Sequence, residues 1–188
     1  MIINCIELKI DQKYLVAAKI SRLSQEEGSS LLTKTSTEVL QMIKEGVVFA
    51  KIENSTPIFV VAFEPAPRHD YVEVGLVSNT SDGKFKGSQM FPEIINFYQS
   101  LFPEKKLYLT TTNIKMKRLG EKAGFIEINE INLPPEVIKF CCSPCQIEKT
   151  GAAKPGEQIN YCRRFHGFIP PTENHLTNNP CLMMIKNF

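Results

Sequence analysis

A chain of 188 residues with 43% hydrophobic and 22% charged side chains has enough apolar material for one substantial core. Its net charge of +2 creates no global field that would draw it to nucleic acid or an anionic membrane, so neither partner is expected. No apolar run approaches bilayer-crossing length, and Asn4, Glu7 and Lys9 interrupt the opening residues, so no signal peptide is expected and the chain reads as cytoplasmic, with reduced thiols.

Residues 2–10 alternate as a strand would, and Asp11 is the expected N-cap of a helix that buries Val16, Ile20 and Leu23 and stops at Gly28-Ser29-Ser30. Thr35 followed by Glu38 forms a capping box for a second helix, which buries Val39, Leu40 and Ile43 and ends at Gly46. The β-rich runs 47–53 and 58–63 flank the turn residues Asn54-Ser55-Thr56-Pro57, which predicts an antiparallel hairpin. A strand at 71–77 then leads through a polar, glycine-containing loop into a helix with the apolar stripe Phe91, Ile94, Ile95, Tyr98 and Phe102. Pro92 is expected in the first turn of that helix, where a missing N–H does least harm. A strand at 107–111, a helix capped by Asn113 and closed at Gly124-Phe125, and strands at 126–131 and 181–186 complete the pattern. Residues 141–180 are rich in Cys, Pro, Gly and Asn and lack periodicity, so they read as an insertion into one domain spanning 1–188.

A strand that feeds a glycine-containing loop and then a helix aims backbone N–H groups and the positive helix end at one spot, which suits a phosphate. The loop here runs through Gly83, Lys84, Phe85, Lys86, Gly87 and Ser88, in which the lysines read equally as solvated and the glycines as turn residues. Strand, phosphate loop, helix and strand are followed by Asn113 and Leu119 in an Asn-x-x-x-x-x-Leu pattern, then by Gly124-Phe125. This order resembles the GNAT superfamily of acetyl-CoA-dependent N-acetyltransferases, with the spacing from Val77 to Gly87 and the positions of Asn113, Leu119, Lys122, Gly124 and Phe125 in register.

The resemblance implies an α+β fold: a mixed, mostly antiparallel sheet with helices on both faces. It implies acetyl-CoA as cofactor, with Val77, Gly83, Lys84, Phe85, Lys86, Gly87, Ser88 and Asn113 in the cofactor site. It further implies transfer of an acetyl group to a primary amine, with Glu73 of Val72-Glu73-Val74-Gly75 as the candidate general base; on the residues alone, Glu73 reads equally as an exposed strand glutamate. The sequence departs from the family's Arg/Gln-x-x-Gly-x-Gly/Ala loop, with Asp82 at the Arg/Gln position, Phe85 at the first glycine and only Gly87 retained. Gly120 stands where many members carry a tyrosine as general acid, and neither Tyr98 nor Tyr108 matches an acid position. These departures keep a second reading open, a GNAT-shaped binding module without turnover. The acceptor stays open among small amines, peptide N-termini, lysine side chains and aminoglycosides.

Six cysteines in a cytoplasmic chain are read as metal ligands, free thiols or, last, disulfides. Cys142-Ser143-Pro144-Cys145 is a CxxC knuckle, and Cys162 and Cys181 can complete a structural four-thiolate zinc site if the strand before Cys141 and the strand near Cys181 are antiparallel neighbours, as the resemblance implies. Cys141 and His166 are competing ligands. A zinc-ordered interaction module or nucleic-acid adaptor is therefore a third reading, with the residues 161–166 as its basic and aromatic contact or, alternatively, as a loop rim over the acceptor cleft.

Overall fold

The computed structural model of the chain describes residues 1–26, 34–68, 70–81, 86–111, 113–128, 133–142, 161–162, 167–168 and 182–186. Strand β1 (Ile2–Asn4) and a short 3-10 turn lead into helices α1 (Ile10–Gln25) and α2 (Ser36–Lys44), then strands β2 (Val48–Glu53), β3 (Thr56–Pro65) and β4 (Tyr71–Asn79). Helix α3 (Gly87–Leu101) crosses to β5 (Lys106–Thr111), followed by α4 (Ile114–Lys122), β6 (Ile126–Glu127), α5 (Pro135–Cys142), the short strands β7 (Tyr161–Cys162) and β8 (Gly167–Phe168), and β9 (Leu182–Lys186). Seven strands form one sheet in the order β1-β2-β3-β4-β5-β9-β6, while β7 and β8 pair separately. Every neighbouring pair in the large sheet is antiparallel except β4 and β5, the pair joined through α3.

Local chemistry sets the helix ends. In α2 the Thr35 hydroxyl accepts from the Glu38 N–H at 3.2 Å and the Glu38 carboxylate accepts from the Thr35 N–H at 2.6 Å, the capping box read from the sequence. Gly46, with φ +75°, takes the left-handed position that ends this turn. Helix α1 begins earlier than expected: Lys9 is its N-cap, because the Gln12 side chain accepts the Lys9 N–H at 3.1 Å, and Asp11 lies within the first turn. Its apolar face is Val16, Ala17 and Ile20, with Leu23 half-buried; the predicted stop at 28–30 lies outside the described residues.

In the β2–β3 hairpin, Asn54 and Ser55 take φ of 46° and 61°, the pair of left-handed residues that a tight two-residue turn requires. Pro57 lies in β3 rather than the turn, beside a register irregularity at Lys51/Ile52 where a ladder donor is dispensable. Pro92 falls in the second turn of α3, not the first, because that helix starts at Gly87. Just ahead of the stretch 141–180 stands a helix the sequence reading did not expect, α5, with Pro135 at its first position and Glu136 in the first turn. Of the predicted strand 126–131, residues 126–127 form β6 and the Ile128 N–H donates to Met183 O at 3.0 Å, while 129–131 lie outside the described residues.

Alternation along the strands sends side chains to two faces. On one, Phe59, Val61 and Phe63 of β3, Val72 and Val74 of β4 and Leu107 and Leu109 of β5 pack against Phe91, Ile94, Ile95 and Tyr98 of α3, with Leu119 of α4 beside them. On the other, α1 and α2 cover Val48, Ala50, Val60 and Ala62, and Val137 of α5 with Leu133 covers Tyr71, Tyr108, Met183 and Ile185. Helices thus lie on both faces. Cys5 is fully buried under α1 and α2, where burial pushes its thiol up to about 12 against a smaller opposing pull from Lys13, so it fills space and is no nucleophile. Among the described residues no helix is long and apolar enough to cross a membrane.

Candidate cofactor and acceptor site

The one parallel pair is short. β4 and β5 pair only at Tyr71 with Lys106, Val72 with Leu107 and Glu73 with Tyr108. Beyond that point β4 continues with β3 as far as Asn79, and β5 continues with β9 as far as Thr111. The cause lies in β4: its register on β3 slips between Val60, opposite Ser78, and Ala62, opposite Gly75, and within the slip Leu76 takes φ 47°. A bulge of this kind bends the strand that carries it. The result is a wedge whose two walls are strand edges, and such edges carry backbone N–H and C=O groups that seek partners.

Two helix N-termini meet the wide end of the wedge. Helix α3 follows β4, and its N-cap Lys86 gives it no side-chain capping bond, while its first turn holds no acidic residue. Among the described residues neither a capping side chain nor a first-turn carboxylate stands at the start of this 15-residue helix, an arrangement that favours an anion there. Gly87 sets how close the helix end comes to the sheet: a Cβ there would stand 3.0 Å from Phe59 Cε2 and 4.0 Å from Leu119 Cδ1, so any side chain would press on Phe59. Helix α4 follows β5, and Asn113 is its cap, its Oδ1 accepting from the Lys115 N–H at 2.8 Å while its own N–H donates to Thr111 Oγ1 at 3.0 Å.

Of the predicted cofactor residues, Val77 is half-buried on the α3 face of β4, Lys86 is exposed at the cap, Gly87 and Ser88 open α3, and Asn113 caps α4. Gly83, Lys84, Phe85 and Asp82 lie outside the described residues. Glu73 occupies the apex of the wedge, the last β4 position paired with β5, half-buried, with its Oε1 accepting from Thr110 Oγ1 at 3.3 Å.

Sequence reasoning missed three neighbours of Glu73. Glu64 of β3 stands directly opposite it in the antiparallel register, Gly75 lies two residues on, and Thr110 bonds it from β5. All belong to the sheet face of Ala62, Tyr71 and Tyr108, the face that α1, α2 and α5 cover elsewhere. No local signal marks this set, because it depends on register between strands.

Gly120, at the position of the absent tyrosine, is buried; a Cβ there would meet Met184 Sδ at 3.1 Å and Leu109 Cδ2 at 3.3 Å. The glycine is what allows α4 to lie against β5 and β9. Tyr98 lies on α3, stacked on Phe63 with ring centroids 3.8 Å apart, and burial, with a smaller contribution from Glu104, pushes its phenol up to about 12.

Of the cysteines, the expected arrangement is altered by α5. β6 does pair antiparallel with β9, but helix α5 intervenes between β6 and Cys142, so Cys142 ends a helix and not a sheet strand. Cys162 lies in β7, and Cys145 and Cys181 fall outside the described residues. Among the described residues no group of three or more His, Cys, Asp or Glu side chains is placed to hold a metal ion.

No family model matches the sequence, and no curated protein does. Solved structures are similar to it. N-acetylglutamate synthase from Neisseria gonorrhoeae, complexed with coenzyme A and N-acetyl-glutamate, superposes with a TM-score of 0.61 and 13% identity over 99% of this chain, which spans 34% of that enzyme's length. Spermidine N-acetyltransferase from Vibrio cholerae, in complex with CoA and spermine, gives 0.53 and 11% identity over 98% of this chain and 92% of its own. A GNAT-family acetyltransferase from Streptococcus pneumoniae gives 0.51 and 18% over 68% and 85%. With its sheet order, its β4–α3–β5 crossover and these likenesses, the chain has the fold of the GNAT acetyltransferases.

Proposed function

We propose that the chain is an acetyl-CoA-dependent N-acetyltransferase acting on a primary amine. The observation that carries this reading is the wedge between β4 and β5, with the uncapped N-terminus of α3 at its wide end and Glu73 at its apex. An extended thioester arm bearing amides satisfies strand edges in the wedge, and a diphosphate at its far end meets the N–H groups of Gly87 and Ser88. Asn113 borders the same opening from β5. The likeness to structures solved with coenzyme A, among them one with N-acetyl-glutamate and one with spermine, supports the same reading.

The chemistry follows from what the apex offers. An ammonium group enters beside Glu73, whose carboxylate takes one proton and leaves the amine able to attack the thioester carbonyl. The C–N bond forms and the C–S bond breaks; a second proton leaves nitrogen and ends on the coenzyme thiol. Gly120 contributes no acid, so that proton reaches sulfur from water or directly from the amine.

Thiol release from acetyl-CoA in the presence of mixed primary amines tests the proposal. The expected result is amine-dependent release that falls about a hundredfold in Glu73→Gln, the typical scale for losing a general base. Coenzyme binding without release from any amine would instead support the binding-module reading, which the close packing at Gly120 favours.

A further inference from the structure

We propose that Glu64 is a specificity-determining residue which, with Glu73, makes the acceptor seat doubly acidic and selects cationic alkylamines lacking a neighbouring carboxylate, diamines above all. This rests on the acetyltransferase reading for the identity of the site. Glu64 and Glu73 are direct partners across β3 and β4, a position in which side chains begin about 5 Å apart and like charges repel. Sheets avoid that arrangement unless something else requires it. No ion pair or hydrogen bond engages the Glu64 carboxylate among the described residues. At the start of β4, Lys106 and Arg68 are turned to another carboxylate, Asp70.

The direction in which Glu64 points is fixed by a glycine. Its Oε1 lies 3.2 Å from the place a Cβ would occupy on Gly75, and among the described residues no other non-neighbouring heavy atom comes within 4 Å of that place. The carboxylate therefore leans past Glu73 over bare backbone, toward the end where β4 and β5 part. An ammonium resting on Gly75 has one carboxylate from each strand, with Glu73 steadied by Thr110. Farther along the same face of β4, beyond the bulge, Ser78 holds a hydroxyl that is 4% exposed and without a hydrogen-bond partner among the described residues. That leaves a buried polar group for the distal nitrogen of a diamine. An amino acid such as glutamate brings its own carboxylate against the pair and is repelled.

Calorimetric titration with diaminobutane, butylamine and glutamate in the presence of coenzyme A tests this on the full chain, alongside steady-state KM for the same amines. The expected order of affinity is diaminobutane, then butylamine, with no glutamate binding. Glu64→Gln is expected to weaken diaminobutane about tenfold, as removal of one close charge partner does, and Glu64→Asp to restore most of it. The KM for acetyl-CoA is expected to be the same in all three proteins. Unchanged diaminobutane affinity in Glu64→Gln, equal binding of glutamate, or no diamine binding to the wild-type chain would each overturn the assignment. Diamine binding lost in Glu64→Gln without thiol release in any protein would leave the seat standing and remove the acetyltransferase reading.

Discussion

At the scale of single residues, the absence of a side chain matters at three places in this site. Gly75 leaves backbone bare beside two carboxylates, Gly87 seats the start of α3 against Phe59, and Gly120 lets α4 close on Met184 and Leu109. The last decides how to regard the missing tyrosine. Restoring it does not restore an acid, because the space above Gly120 already belongs to Met184. Gly120→Tyr is expected to destabilise the fold by about 1–3 kcal/mol or more through overpacking, read as a fall in Tm of about 3 °C per kcal/mol for a chain of this length. Thiol release is expected not to rise. A variant of undiminished Tm that turns over faster would show that the position is open to a catalytic tyrosine after all.

At the scale of elements, what was legible in the sequence was local. The Thr35/Glu38 box needs only its own four residues. Asn113 caps α4 in the same way, and the closing motif at Gly124, with φ +86° and the Phe125 N–H donating to Gly120 O at 2.9 Å, is likewise a short-range device. Thr35→Ala is expected to cost about 1 kcal/mol in denaturant unfolding near neutral pH, as N-caps do. Its pH dependence has a sign. Hydrogen bonds from the Thr35 N–H and hydroxyl hold the Glu38 carboxyl below its ordinary value. Their stabilisation is present above the unfolded carboxyl pKa and fades as pH falls through the lower folded one, so the wild-type advantage over Thr35→Ala is expected to shrink in acid. An advantage that stays constant from neutral pH down through the carboxylate range would contradict this.

Other elements were hidden for physical reasons. Helix α5 is only eight residues long, opens on two prolines and runs into the stretch 141–180; Pro135 at its first position and Glu136 after it were the available signals. The bulge that opens the wedge was only weakly marked: Gly75 inside the strand was the available signal, but the φ of 47° falls on Leu76, a residue type that rarely adopts it. The Glu64–Glu73 pair shares this character. Each glutamate is unremarked in its own strand, and only the antiparallel register brings them together.

At the scale of the whole molecule, the sheet is an antiparallel structure with one parallel seam, and that seam fails after three residue pairs. Both strands of the seam run on into helices, α3 after β4 and α4 after β5, so the opening and the two helix N-termini lie at one end by construction. Ligands of α/β sheets lie at such carboxyl ends of parallel strands, where connections part. The central claim is that this opening holds coenzyme A. Its most direct measurement is calorimetric titration of the chain with coenzyme A, compared with Gly87→Val, in which a side chain meets Phe59 and displaces the start of α3. The account expects saturable binding of one coenzyme per chain in the wild-type protein, weakened at least about tenfold in the variant; absence of binding by the wild-type chain, or equal affinity of the two proteins, would contradict it.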